Sequence, residues 1–271
     1  FEEIVRREWP DGPDSGRPPF QPRVYGFERH VDTATTGALE CCMHENILGP
    51  TRQLLQVEHV GIAYLFLMCN PIAAHGPWWW HRDFSHQDGP LEGKQRDFAA
   101  NGPVHLQWNI ALYADDVLWV VPGSHNRCNT AEEDAKLNES PGGPLRGALQ
   151  TRLEAGDGVV YILPLLHWGS NYNSQMRRTI HGGFSVFTHY HDLSFIKHLS
   201  ETAQTTFERW HQCSKQKKHH NEKALRAALD IRRCPDRTVT TVPRADLFAD
   251  LSPFTFVASR LPGLVLMFAL G

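Results

Sequence analysis

His81 and Asp83, two residues apart, can bring an imidazole and a carboxylate to one point, because alternate residues of an extended strand share a face. His167, far downstream, could add a second imidazole from another strand. Two histidines and one carboxylate make a facial triad. Such a set holds iron(II) and leaves positions open for a bidentate 2-oxo acid and dioxygen. Taken alone, the H-x-D pair reads equally well as a surface ion pair. Its context carries more. Pro122-Gly123-Ser124-His125 follows a short β-rich run, and Gly156-Asp157 opens the stretch leading to His167. Arg177 and Arg178 lie ten and eleven residues beyond His167. A guanidinium there can meet a carboxylate with its planar fork, a pairing that favours Arg over Lys.

Other residues near these positions could contribute. In Val104–Tyr113, His105, Gln107 and Asn109 alternate with Leu106, Trp108, Ile110 and Leu112. Inward-pointing amides need partners, and a bound co-substrate or substrate could supply them; a solvent-facing strand explains them equally. Trp108 reads as a core tryptophan by its apolar neighbours. Of Trp78, Trp79 and Trp80, at most two can face one side. Ser124 and His125 read as a tight turn. His86 reads as a neighbour of the centre or a surface residue, since a fourth ligand would close the site to dioxygen.

These positions need a β scaffold. Gly61–Cys69 is an apolar run of strand length, and Val117–Val121, Gly158–Leu163 and Thr179–Thr188 supply further short strands. Their spacing indicates a sandwich or barrel rather than βαβ units. Upstream, Leu39, Cys42, Met43 and Ile47 form a helical stripe over about 36–48 that Gly49-Pro50 is expected to stop. Residues 9–22, rich in Pro and Gly, read as an irregular lead-in, and a polar insert at about 126–147 as a long surface loop. After about Asp192, Ile196, Leu199, Ala203, Phe207 and Trp210 step along one helical face, and Leu225, Ala228 and Leu229 suggest a second helix with Asn221 as its N-cap. The basic run between them reads as a solvated loop.

Over roughly residues 39–190 the chain resembles the phytanoyl-CoA dioxygenase family of iron(II)/2-oxoglutarate oxygenases. The matching elements are Trp80-His81-x-Asp83, Trp108 in QWNIAL, VVPGSH, Gly156-Asp157, His167, the Asn173-Ser174 turn and RRTI, in the family's order. The resemblance implies a mainly β fold, a double-stranded β-helix (a jelly-roll, cupin-like core over about 60–190) with flanking N- and C-terminal helices. It implies one oxygenase domain over 1–271, with a helical extension from about 192. It implies Fe(II) on His81, Asp83 and His167, with 2-oxoglutarate and O2 converted to succinate and CO2 as a small molecule is oxidised. Arg177, Arg178, Trp108 and Gln107 are the candidates for holding the co-substrate. The family's spacing selects Arg178. Its local sequence and the strand alternation select Arg177, which shares a face with Thr179, His181 and Gly183. The chain departs from the family at Asp115-Asp116, where a longer turn with an Asn-Gly pair is usual, so one rim of the pocket is expected to differ.

Composition narrows the partners. The chain has 271 residues, 41% hydrophobic, and a formal net charge of -3. That balance gives no reason to expect nucleic acid or an anionic membrane surface. No apolar run approaches the ~20 residues of a membrane span. Six cysteines without a CxxC pair read as free thiols of a reducing, cytoplasmic compartment. No signal peptide is evident, and the start at Phe1 leaves room for a preceding segment. Two rivals are a non-catalytic metal-binding jelly roll, for which the usual H-x-H pair and following Glu are lacking, and an oxygenase acting on protein or nucleic acid. Substrate and oligomeric state are open.

Overall fold

The computed structural model describes residues 1–12, 23–69, 79–83, 91–93, 95–96, 102–139, 142–170, 176–186 and 193–213, and the backbone of 260–261 and 264–265. The proposed second helix around Leu225, His86, Trp78 and the Asn173-Ser174 turn lie outside these residues.

Apolar and alternating stretches fold as the sequence predicts. The strands are β1 (Arg23–Tyr25), β2 (Gly61–Cys69), β3 (His105–Ala111), β4 (Leu118–Val120), β5 (Leu149–Gln150), β6 (Gly158–Tyr161), β7 (His167–Gly169) and β8 (Arg178–Ser185). A five-stranded antiparallel sheet has the order β1-β2-β8-β3-β6, and a three-stranded sheet the order β5-β4-β7. His81 pairs with His167 by an antiparallel bridge, which extends the smaller sheet beyond β7. Strands alternating between two facing antiparallel sheets in this order are a double-stranded β-helix, the jelly roll. The fold is the expected one.

The two faces of the larger sheet do different work. One face carries Leu65, Leu67, Leu106, Trp108, Ile110, Ile180 and Phe184 into the main core. Helices cover it: α1 (Glu2–Glu8) through Ile4 and Val5, α3 (Glu45–Leu55) through Ile47, Leu48 and Leu55, and α5 (residues 201–213) through Phe207 and Trp210. Gly61 leaves room for the Trp210 indole, since a Cβ there would lie 2.2 Å from the ring. The opposite face points between the sheets and carries Tyr64, His105, Gln107, Asn109, Thr179 and His181. Gly183 pairs with both Tyr64 and Gln107, and a Cβ on it would meet the Tyr64 and His105 rings at 2.3 and 2.5 Å. Only glycine lets both rings lie across β8 there.

Three expectations are corrected. The stripe at 36–48 is a short helix α2 (Gly37–Glu40), a 3-10 turn and the start of α3, and Pro50 lies inside α3 rather than ending it. Proline there forgoes one backbone hydrogen bond, but Ile47, Leu48, Thr51 and Leu55 stay buried along the helix face. The insert at 126–147 contains a helix, α4 (Ala131–Glu139). Thr130 and Glu133 cap it reciprocally, with Glu133 N donating to Thr130 Oγ1 at 3.1 Å and Thr130 N to Glu133 Oε2 at 2.8 Å. Beyond residue 213 the chain is not helical throughout, because Arg260–Leu261 and Leu264–Val265 form a short antiparallel pair.

Candidate metal centre

The bridge between His81 and His167 builds the site from backbone outward. His81 N donates to His167 O at 2.9 Å and His167 N to His81 O at 3.0 Å. Residues directly opposite in an antiparallel pair send their side chains to the same face, so the two imidazoles lie together, with ring centroids 4.3 Å apart. Asp83, two residues on, returns to that face. Its N donates to Leu163 O at 3.0 Å, which keeps the extended course. One ligand-type atom from each of His81, Asp83 and His167 then falls within 4.8 Å of the others.

Each ring is turned the same way. His81 Nδ1 lies 2.9 Å from Trp79 O, and His167 Nδ1 lies 2.9 Å from Leu165 O. A carbonyl only accepts, so each Nδ1 carries the proton and each Nε2 is the nitrogen turned to the carboxylate. Nε2 of His81 is 3.5 Å from Asp83 Oδ1, and Nε2 of His167 is 3.1 Å from Asp83 Oδ2. Burial works to raise the Asp83 carboxyl, but the charge and hydrogen bonds of His167 and His81 hold it well below the usual carboxylate range. Burial likewise opposes a charged His167, yet Asp83 raises that imidazole above its ordinary value. The cluster is an anionic point flanked by two imidazoles. That is a donor set for a divalent cation.

Two residues that sequence reasoning passed over clamp this arrangement. Arg82, between the H-x-D pair, turns away and donates to the carbonyls of Ser124, at 2.7 Å, and Pro164, and to Asn129 Oδ1 at 2.7 Å. Ser124 Oγ accepts from Leu166 N at 2.8 Å. The PGSH turn therefore fixes the residue before His167, while Arg82 ties that turn to the strand carrying His81. The signal was present in the ordered motif, but the turn had no assigned chemical partner.

The remaining candidates divide by face. Gln107 lies at the centre, its Nε2 donating to Asp83 Oδ2 at 2.7 Å and lying 3.1 Å from His181 Nε2. Arg177 also points between the sheets, where its Nε donates to Asp115 Oδ2 at 2.8 Å and Thr179 Oγ1 donates to the same oxygen. Trp108 and Arg178 lie on the other face. The Trp108 indole faces the helices and donates to Thr51 Oγ1 at 3.0 Å. Arg178 pairs with Glu2 of α1, its Nη2 donating to Glu2 Oε2 at 3.1 Å. Strand alternation puts both on the far side of the sheet from the triad. Of the described tryptophans, Trp79 is exposed, and Trp80 packs on Trp168 and donates to Gly143 O at 2.7 Å.

No protein-family model matches the chain, and no curated protein matches it. Solved structures similar to it include EctD from S. alaskensis with 2-oxoglutarate and 5-hydroxyectoine, at 16% identity over 68% of this chain and 64% of that chain, with a TM-score of 0.47. AviO1 from Streptomyces viridochromogenes Tue57 shares 23% identity over 68% of this chain and 79% of its own, with a TM-score of 0.45. EvdO2 from Micromonospora carbonacea var. aurantiaca complexed with 2-oxoglutarate shares 18% over 62% and 67%, with a TM-score of 0.40. The chain thus spans less than two thirds of that EctD chain. Likeness of this degree says nothing of what the present chain binds.

Proposed function

We propose that the chain is a mononuclear non-haem iron(II) oxygenase of the phytanoyl-CoA dioxygenase kind, using 2-oxoglutarate and dioxygen to oxidise a small molecule. The observation that carries the proposal is the triad itself, in which both Nε2 atoms and a carboxylate converge. Among the described residues the cluster has three members, where a closed structural zinc site has four. Three protein ligands on one side leave room for exogenous ones. His81, Asp83 and His167 would hold the metal. Iron(II) bound there supplies dioxygen activation, coupled to the conversion of 2-oxoglutarate to succinate and carbon dioxide.

The protein's own groups supply position and charge. Asp83 stays ionised and each histidine is fixed as an Nε2 donor, so loading requires no tautomer change. Arg177 is the residue on the inner face suited to the far carboxylate of 2-oxoglutarate. Asp115 engages it through Nε, and a guanidinium has five donors with which to serve a second carboxylate. The barrel buries the His167 side of the centre, while His81 and Asp83 keep part of their side-chain surface open. A carboxylate in the triad favours hydroxylation, desaturation or ring chemistry over halogenation, which needs that position open for halide.

A small-molecule substrate fits the modest net charge of -3, which gives no general electrostatic reason to expect nucleic acid. Among the described residues no helix is long and apolar enough to cross a membrane, and five cysteines are free thiols, which suits a cytoplasmic setting. The deciding experiment is anaerobic titration with iron(II) and 2-oxoglutarate, followed by exposure to oxygen. A visible charge-transfer band of the chelate and succinate formation are expected. Metal binding with neither would instead favour the non-catalytic metal-binding jelly roll.

A further inference from the structure

The hydrogen bonds leading away from Asp83 have one consistent direction, and it starts at the carboxylate. Gln107 Nε2 lies 2.7 Å from Asp83 Oδ2 and donates to it, so the NH2 group of the amide faces the carboxylate. The reversed amide would set two acceptors against each other at that distance. The second amide proton then points at His181 Nε2, 3.1 Å away, which must accept. His181 therefore carries its proton on Nδ1 and donates it to Asn109 Oδ1 at 2.6 Å. Asn109 and His181 are direct cross-strand partners on β3 and β8, so this last link is fixed by sheet register. Gln107, Asn109 and His181 are all buried.

This orientation has a cost that shows what it is for. Gln107 Oε1 is buried without a hydrogen-bond partner among the described residues. A buried acceptor left without a partner is costly. The amide accepts that cost because both of its protons are used, one of them in a charge-assisted bond to the carboxylate. The bond occupies Oδ2, on the oxygen that also faces His167 Nε2.

We infer that Gln107, aimed by His181 and Asn109, is a positioning residue that restrains Asp83 to metal binding through one oxygen. An N–H on Oδ2 takes one of that oxygen's lone pairs and opposes chelation through both oxygens, which favours keeping open the coordination position that chelation would occupy. This rests on the metal reading above. It assigns Gln107 to the metal carboxylate rather than to the co-substrate.

Cobalt(II) tests the inference without turnover, since its visible spectrum reports coordination number and calorimetry reports affinity. Gln107→Leu, of similar volume without the amide, is expected to bind Co(II) roughly 10- to 100-fold more weakly, with a changed spectrum. His181→Leu, which leaves Gln107 in place but removes its aim, is expected to show the same spectral change with a smaller loss. A folded Gln107→Leu protein with wild-type affinity and spectrum overturns the inference and leaves the metal reading intact. Wild-type protein that binds no Co(II) overturns the metal reading itself. Should the variants not fold, the Gln107 side-chain amide of Zn(II)-loaded wild-type protein decides by NMR. Two separate, exchange-protected proton signals are expected, and rapidly exchanging ones overturn the inference.

Discussion

Arg177 donates through Nε to Asp115 Oδ2 at 2.8 Å, and both side chains are almost fully buried. Asp115 also accepts from Thr179 Oγ1 and from Val117 N, the latter at 2.9 Å, so the carboxylate takes three hydrogen bonds from the protein. Burial works to raise the Asp115 carboxyl, but the Arg177 charge and the Thr179 hydroxyl hold it below its ordinary value. The pair is an ion pair that closes the β3–β4 connection onto β8.

Breaking such a pair from one side leaves a buried guanidinium without its carboxylate. Asp115→Ala is expected to destabilise the metal-free protein by about 3–5 kcal/mol, read from urea unfolding. Asp115→Leu combined with Arg177→Met should recover part of that loss, because no charge is then left unpaired. A cost under about 1 kcal/mol for Asp115→Ala would show the guanidinium finding solvent or another partner.

Asp83→Ala removes the carboxylate between the two imidazoles. Metal affinity is expected to fall by at least 100-fold, and no 2-oxoglutarate chelate band should form. For wild-type protein, metal at 100 times its Kd should stabilise the fold by about 2.7 kcal/mol, a shift that thermal unfolding would register. Asp83→Ala should show none at the same concentration. A variant that keeps the wild-type shift would remove Asp83 from the ligand set.

Ser124→Ala tests the clamp at the PGSH turn. The hydroxyl it removes accepts from Leu166 N, and Ser124 is wholly buried. An unpartnered buried N–H costs about 1–3 kcal/mol, and the segment that loosens carries His167 on its next residue. Both lower stability and weaker Co(II) binding are therefore expected. Lower stability with unchanged metal affinity would mean that β7 is positioned by its sheet pairing alone.

How far the site could be read from sequence depended on whether a local rule governed each residue. His81, Asp83 and His167 were legible because a period-two pair and an ordered motif set point to them. Alternation also separated the faces of β3 and β8 correctly, with Gln107 and Arg177 on one side and Trp108 and Arg178 on the other. Trp108 entered as a co-substrate candidate through its place in a motif and Arg178 through the family's spacing, and neither carries information about faces. Asp115 could not be paired from sequence, since Arg177 reaches it only through tertiary folding. Strands β1, β5 and β7, two or three residues long, are too short for periodicity to register. Pro50 misled because its local cost is outweighed by burial of the α3 face, a tertiary quantity.

His181 gives the sharpest test of the buried network through pH. Burial pushes its imidazole down to about 3, with the Asp83 charge acting the other way. The folded protein therefore keeps His181 neutral down to about that pH, while the unfolded chain protonates it near 6.5. Below about 6.5 the unfolded state binds the extra proton, so stability falls with pH, by up to about 1.4 kcal/mol per unit, and levels off below 3. His181→Leu lacks this proton in both states. Its deficit relative to wild type should then shrink by about 2 kcal/mol between pH 7 and pH 5, read from urea unfolding of the metal-free proteins. Parallel stability curves for the two proteins across that window would mean that His181 takes up its proton in the folded state, against the hydrogen-bond direction that runs from Asp83 through Gln107 to Asn109.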